Sequence, residues 1–120
     1  MLIYDQSSGK MYKDGVFMAD GYSGHDLGKN NPKMEAACGV GPIPRGIWLI
    51  TGRKTSKNTG PVTLTLVPRA DTDTLGRSEF RIHGDSIKNP GTASHGCIIL
   101  PRVVREEIWA SGDRLLTVIE

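Results

Sequence analysis

Three histidines and two cysteines are the side chains of this sequence whose ordinary pKa values lie nearest neutrality. Cys97 stands in "ASHGCIIL", residues 93–100, with His95 two places before it and Gly96 between them. His83 lies 14 residues upstream, at the end of "EFRIHG". A free thiol with a pKa of about 8.5 is only a few per cent ionised at neutral pH, so a cysteine nucleophile needs a base beside it. A neighbouring imidazole can take the proton and hold a thiolate–imidazolium pair. Attack on a carbonyl then creates an oxyanion, which needs preorganised N–H donors. Gly96 lets the backbone bend before the cysteine, so the amides of Gly96 and Cys97 are candidate donors. Ser94 and His95 are candidate supporting side chains. The group that orients the His83 ring is either the Asp85 carboxylate or a backbone carbonyl, that of Gly84.

Other chemistries compete for the same residues. A cysteine at the start of an apolar strand also suits a packed core. Cys38 and Cys97 together allow one disulfide, closing a loop of about 60 residues. His83, His95 and Cys97, with His25, are donors of the kind zinc prefers. His-Gly-Cys is an unusual ligand spacing, however, and no Cys-x-x-Cys or His-Glu-x-x-His occurs. The clustering of Ser, His and Gly around Cys97 favours the nucleophile, and neither a metal nor a cofactor is expected.

These residues must be positioned by short strands. Fifteen glycines and seven prolines in 120 residues imply many turns. Strands are predicted at 2–5, 47–52, 62–67, 79–84, 97–100 and 114–119, with a hairpin over 10–19 turning at Asp14-Gly15. The 47–52 run is apolar on both faces and is expected to be buried on both. In 79–84, Phe80 and Ile82 should face the core while Arg81 and His83 face the other way. Residues 21–32 and 39–46 read as loops, the first closed by Pro32. One helix is predicted over 101–111, with Pro101 in its first position and Gly112 as its stop. The expected fold is mainly β: a sandwich or small barrel of about seven strands, with one short helix after the nucleophile strand.

Length suits a single domain over 1–120. The formal net charge of +2 is spread along the chain, and no basic block reads as a nucleic-acid patch. No stretch approaches the roughly 18 apolar residues of a membrane span, so no membrane insertion is expected. The start, "MLIYDQSSGK", is not that of a signal peptide.

At His83 followed by "GDSIKNPGTA" and then Ser94-His95-Gly96-Cys97-Ile98, the sequence resembles the catalytic domain of the YkuD-like L,D-transpeptidases. The ten-residue spacer is shorter than usual there, and Ile99 stands where a polar residue is common. Over nearly the whole chain, "YSGHDLGKNNP", "GVGPIPRGIWLI", "LGRSEFRIHGD" and "ASHGCIIL" resemble the small L,D-transpeptidase-like toxins delivered by type VI secretion. That resemblance implies a peptidoglycan-modifying enzyme with Cys97 and His83 as its catalytic pair. It implies a Cys97 thioester with the tetrapeptide stem, loss of terminal D-Ala as an L,D-carboxypeptidase, or exchange of that residue. The stem's free carboxylates call for a cation: Arg81 first, Arg102 second, with Tyr22 walling the cleft. It further implies synthesis in the cytoplasm without a signal peptide, action in the periplasm of target bacteria, and a cognate immunity protein. The alternative is a non-catalytic peptidoglycan-binding module on the same fold.

Overall fold

The Asp14-Gly15 dipeptide makes the turn its chemistry demands. Both residues take positive φ, 50° and 79°, which matches the right-handed twist of a two-residue hairpin. The structure is a computed structural model and describes residues 1–120. The hairpin joins β2 (Lys10–Lys13) to β3 (Val16–Asp20), and β2 pairs antiparallel with β1 (Leu2–Asp5). The chain continues through β4 (Tyr22–Ser23), two 3-10 turns at Asp26–Gly28 and Pro32–Met34, and the long hairpin β5 (Gly46–Ser56) to β6 (Gly60–Pro68). It ends with β7 (Arg81–His83), β8 (Ile98–Ile99), the helix α1 (Arg102–Ala110) and β9 (Leu115–Ile119).

All nine strands belong to one sheet, in the order β3-β2-β1-β9-β5-β6-β7-β8-β4. β3 and β4 are therefore its opposite edges, yet only Gly21 separates them in sequence. The sheet must curl until its two edges nearly meet, which gives it a barrel-like form. Gly21 is required there, because a Cβ at this position would collide with the carbonyl of Ile99. Alternate residues of the strands fill the interior: Tyr4, Met11, Trp48, Ile50, Leu64, Ile82, Ile98, Leu116 and Val118. Helix α1 adds Val104 and Ile108 to that core.

Several details differ from the sequence reading. There are nine strands rather than about seven, and the one with no counterpart among the predicted ranges is β4, which falls in a segment read as loop. Two residues pairing with β8 leave no periodicity to detect. The 47–52 run is not buried on both faces, since Leu49 is 37% exposed while Trp48 and Ile50 are buried. The strand read at 79–84 shortens to β7, because Glu79 takes a φ of 64°. Pro101 caps α1 rather than occupying its first turn. Pro32 opens a 3-10 turn instead of closing a loop.

Candidate active site

Two parallel strands position the two candidate residues, His83 and Cys97. β7 pairs with β8 in the register Ile82↔Ile98 and His83↔Ile99. Ile82 and Ile98 point into the core. Side chains alternate along a strand, so Arg81, His83, Cys97 and Ile99 lie on the opposite face. All four line one open groove of about 1310 Å³. Cys97 stands one residue before β8 begins, and His83 ends β7. Strand spacing and rise put their Cα atoms on a diagonal of about 8 Å, which a thiol and an imidazole can bridge between them.

The turn that delivers Cys97 is built around Ser94, which is fully buried. Its hydroxyl donates to the Cys97 carbonyl at 2.6 Å and accepts from the amides of Gly24 at 2.8 Å and Gly96 at 3.1 Å. Gly96 has a φ of 134°, and its carbonyl accepts from the Ser23 hydroxyl at 3.1 Å. Ser94 is thus a structural hub of the turn. It also takes the Gly96 amide out of contention as an oxyanion donor. The Cys97 amide has no acceptor within the protein and faces no such competition.

The His83 ring is oriented by the Gly84 carbonyl, 2.9 Å from Nδ1. Asp85 is occupied elsewhere: its carboxylate accepts from the Tyr22 hydroxyl at 2.6 Å and from the amides of Ser86 and Gly91. The Tyr22 hydroxyl in turn accepts from the Ala93 amide at 3.0 Å. Tyr22 lines the groove, and its hydroxyl fastens the segment between His83 and Ser94. Burial and the Asp85 hydrogen bond push the Tyr22 hydroxyl up to about 12. Partial burial opposes it, but Tyr22 and the two amides hold the Asp85 carboxyl below its ordinary value.

Electrostatics favour a neutral resting pair over the expected thiolate–imidazolium. Burial lowers the His83 pKa, helped by the Arg105 and Arg81 charges, although the Gly84 carbonyl resists. Burial raises that of Cys97, which the Arg81 backbone N–H and the Arg81 and Arg77 charges partly offset. The Cys97 thiol lies 3.7 Å from the carbonyl of Glu79.

The remaining candidates are spread around this pair. Arg81 lines the groove, and its buried Nε has no partner. Arg102 opens α1 at the groove edge, 3.6 Å from Glu106. His95 is exposed, with Nδ1 3.2 Å from the Gly39 carbonyl and its ring centroid 5.3 Å from that of His25. Both cysteines are free thiols, and Cys38 lies on the same groove as Cys97. No three His, Cys, Asp or Glu side chains converge as a metal site requires, and no helix is long and apolar enough to cross a membrane.

Sequence reasoning missed two buried arginines. Arg105, on α1, donates to the carbonyls of Leu100 at 3.0 Å, Pro61 at 2.7 Å and Val62 at 3.0 Å. It also sits so close to Gly84 that an added Cβ there would come within 2.8 Å of Nη2. Arg77 lies behind the Ser94–Cys97 turn, donating at 3.3 Å to the carbonyl of His95. No sequence signal separates these two from surface arginines.

A family profile described as the Tlde1 domain matches residues 18–116. No curated protein matches the chain. Among solved structures, a mutant L,D-transpeptidase of Enterococcus faecium is 18% identical with a TM-score of 0.56, covering 98% of this chain and 48% of its own. An L,D-transpeptidase (Yku) of Stackebrandtia nassauensis is 16% identical with a TM-score of 0.58, covering 99% and 54%. Bd1075 of Bdellovibrio bacteriovorus is 12% identical with a TM-score of 0.62, covering 99% and 47%. The chain spans about half the length of these structures, and at such identities the likeness is one of fold: the YkuD-like fold of the L,D-transpeptidases.

Proposed function

The chain belongs to the Tlde1 domain family, type VI secretion effectors resembling L,D-transpeptidases, and from that premise we propose that it is a cysteine enzyme acting on the tetrapeptide stem of peptidoglycan. Cys97 is the nucleophile and His83 the base. The observation that carries this reading is their placement on one face of adjacent parallel strands, within one groove. The Gly84 carbonyl accepts a hydrogen bond from His83 Nδ1–H, which leaves Nε2 as the basic nitrogen.

Burial favours the neutral form of both groups, so Sγ passes its proton to Nε2 as it attacks rather than beforehand. The Cys97 sulfur adds to the carbonyl at the L-centre of the stem's diacid residue. The Cys97 amide receives the oxyanion, and the imidazolium then protonates the departing D-Ala amine. The thioester left on Cys97 is resolved by water, giving an L,D-carboxypeptidase, or by a D-amino acid, giving exchange. Arg81 is the anchor for a stem carboxylate, since its charge lies on the face of His83 and pairs with no acid. The reading extends to an antibacterial effector acting in the periplasm of target cells, with an immunity protein in the producer.

The test is incubation of reduced protein with purified tetrapeptide muropeptides, read by mass. Loss of one alanine, or its replacement by an added D-amino acid, supports the proposal. Unchanged turnover in Cys97→Ala would sink it. Binding without turnover, together with a thiol inert to iodoacetamide, would favour a non-catalytic wall-binding module instead.

A further inference from the structure

Arg77 is only 6% exposed and forms no ion pair. Its hydrogen bonds all go to backbone carbonyls. Nη1 donates to Glu35 at 2.6 Å and Pro42 at 2.7 Å, and Nη2 donates to Gly41 at 2.9 Å and His95 at 3.3 Å. The guanidinium lies 5.2 Å from the Phe80 ring centroid, and Phe80 packs edge-on against Trp48 in the core. Carbonyls occupy both of its terminal nitrogens without cancelling its charge. Burying a cation without an opposite charge is costly, and hydrogen bonds only partly offset it.

What lies nearby is the nucleophile turn. A Cβ added at Gly96 would collide with Arg77 Nη2 and approach Phe80 Cε1 to 3.2 Å. One guanidinium thus ties the 35–42 segment, the His95 carbonyl and the face of Gly96 together, directly before Cys97. We infer that Arg77 is a positioning residue for Cys97: it clamps the Ser94–Cys97 turn through the His95 carbonyl and supplies a fixed positive charge that favours the thiolate. The inference rests on the nucleophile reading of Cys97, but its measurement does not.

The charges that act on the Cys97 sulfur are Arg81, Arg77 and Glu79, with His83 across the strand. The experiment is iodoacetamide alkylation of the full chain against pH, in a Cys38→Ser background so that one thiol reports. Arg77→Gln keeps donors but loses the charge, and Arg77→Lys keeps the charge but loses the fork. Folding of each is checked by thermal unfolding. The expected result is an alkylation midpoint about one pH unit higher in Arg77→Gln, hence roughly ten-fold slower reaction at pH 7. Arg77→Lys should restore the midpoint while lowering kcat on muropeptides with little change in KM. A folded Arg77→Gln protein with an unmoved midpoint overturns the inference.

If neither variant folds, salt dependence of the unsubstituted Arg77 protein decides. A buried cation is poorly screened, so the midpoint should stay nearly flat from low to high salt. A midpoint that climbs steeply would assign support of the thiolate to exposed cations and overturn the inference. Absent muropeptide turnover with a shifted alkylation midpoint would sink the proposed function while leaving the role of Arg77 standing.

Discussion

The Nδ1 of His83 lies 2.9 Å from the carbonyl oxygen of Gly84, the residue that follows it. A peptide carbonyl only accepts, so this contact fixes the tautomer with the proton on Nδ1 and the lone pair on Nε2. Substitution of His83 by alanine should lower muropeptide turnover by about a hundred-fold to ten-thousand-fold, the usual worth of a general base. Asp85→Asn should cost far less, since Asp85 bonds Tyr22 and loop amides rather than the imidazole. Equal losses in the two variants would contradict the assignment. The comparison needs only kcat/KM at one pH.

The opposite pKa displacements of the pair give a pH profile with a defined shape. His83 is held below its ordinary value and Cys97 above its own, both through burial. The base should therefore remain usable below pH 6.5, and the thiol should keep its proton to transfer beyond pH 8.5. The kcat/KM profile is expected to be broad, wider on both sides than unperturbed groups would make it.

Folding stability should follow the same histidine. The unfolded chain binds a proton at His83 more readily than the folded one. Stability is then fully present above about pH 6.5 and falls as pH drops toward the lower folded value. Urea unfolding between pH 7 and 5 should show this decline, and His83→Gln should flatten it.

Ser94→Ala tests the turn. The substitution strands two buried amides and leaves the Cys97 carbonyl without its donor. Unmet buried groups cost about 1–3 kcal/mol each, with partial relaxation, so a loss of about 2–4 kcal/mol is expected. Thermal unfolding reads the stability, and slower iodoacetamide labelling of Cys97 reads the displaced thiol. Normal labelling in a destabilised protein would show that Ser94 supports the fold without placing the thiol.

Tyr22→Phe separates cleft wall from fastening. The ring remains, while hydrogen bonds to Asp85 and from Ala93 vanish. Stability should fall by about 1 kcal/mol. Proteolysis of residues 85–93 should accelerate, with turnover reduced less than ten-fold.

Much of the scaffold is legible in the sequence because it is local. Asp14-Gly15 dictates its hairpin, and alternation in "EFRIH" places Phe80 and Ile82 in the core with His83 on the opposite, groove-lining face. The juxtaposition of His83 and Cys97 follows once 81–83 and 98–99 are accepted as neighbours. What stays hidden is long-range and polar. Arg77 and Arg105 read as surface charges, and only tertiary packing reveals the carbonyls that converge on them. The role of Ser94 likewise depends on Gly24, some seventy residues away. Asp85 sits beside His83 in sequence, yet the turn sends its carboxylate to Tyr22.

The single residue between β3 and β4 has a consequence for how the protein comes to life. Tyr22 and Ser23 must find Ile99 and Ile98, across most of the chain's length, before the sheet's two edges approach one another. Contacts so distant in sequence form late, because their closure entropy is met only after nearer pairings exist. The strand that receives them begins immediately after Cys97. The Tyr22 wall of the groove is therefore tied to one of the long-range stitches of the sheet. Cys97 and His83 are neighbours through the nearer β7–β8 pairing, whereas the tyrosine that walls their groove arrives only with the distant one.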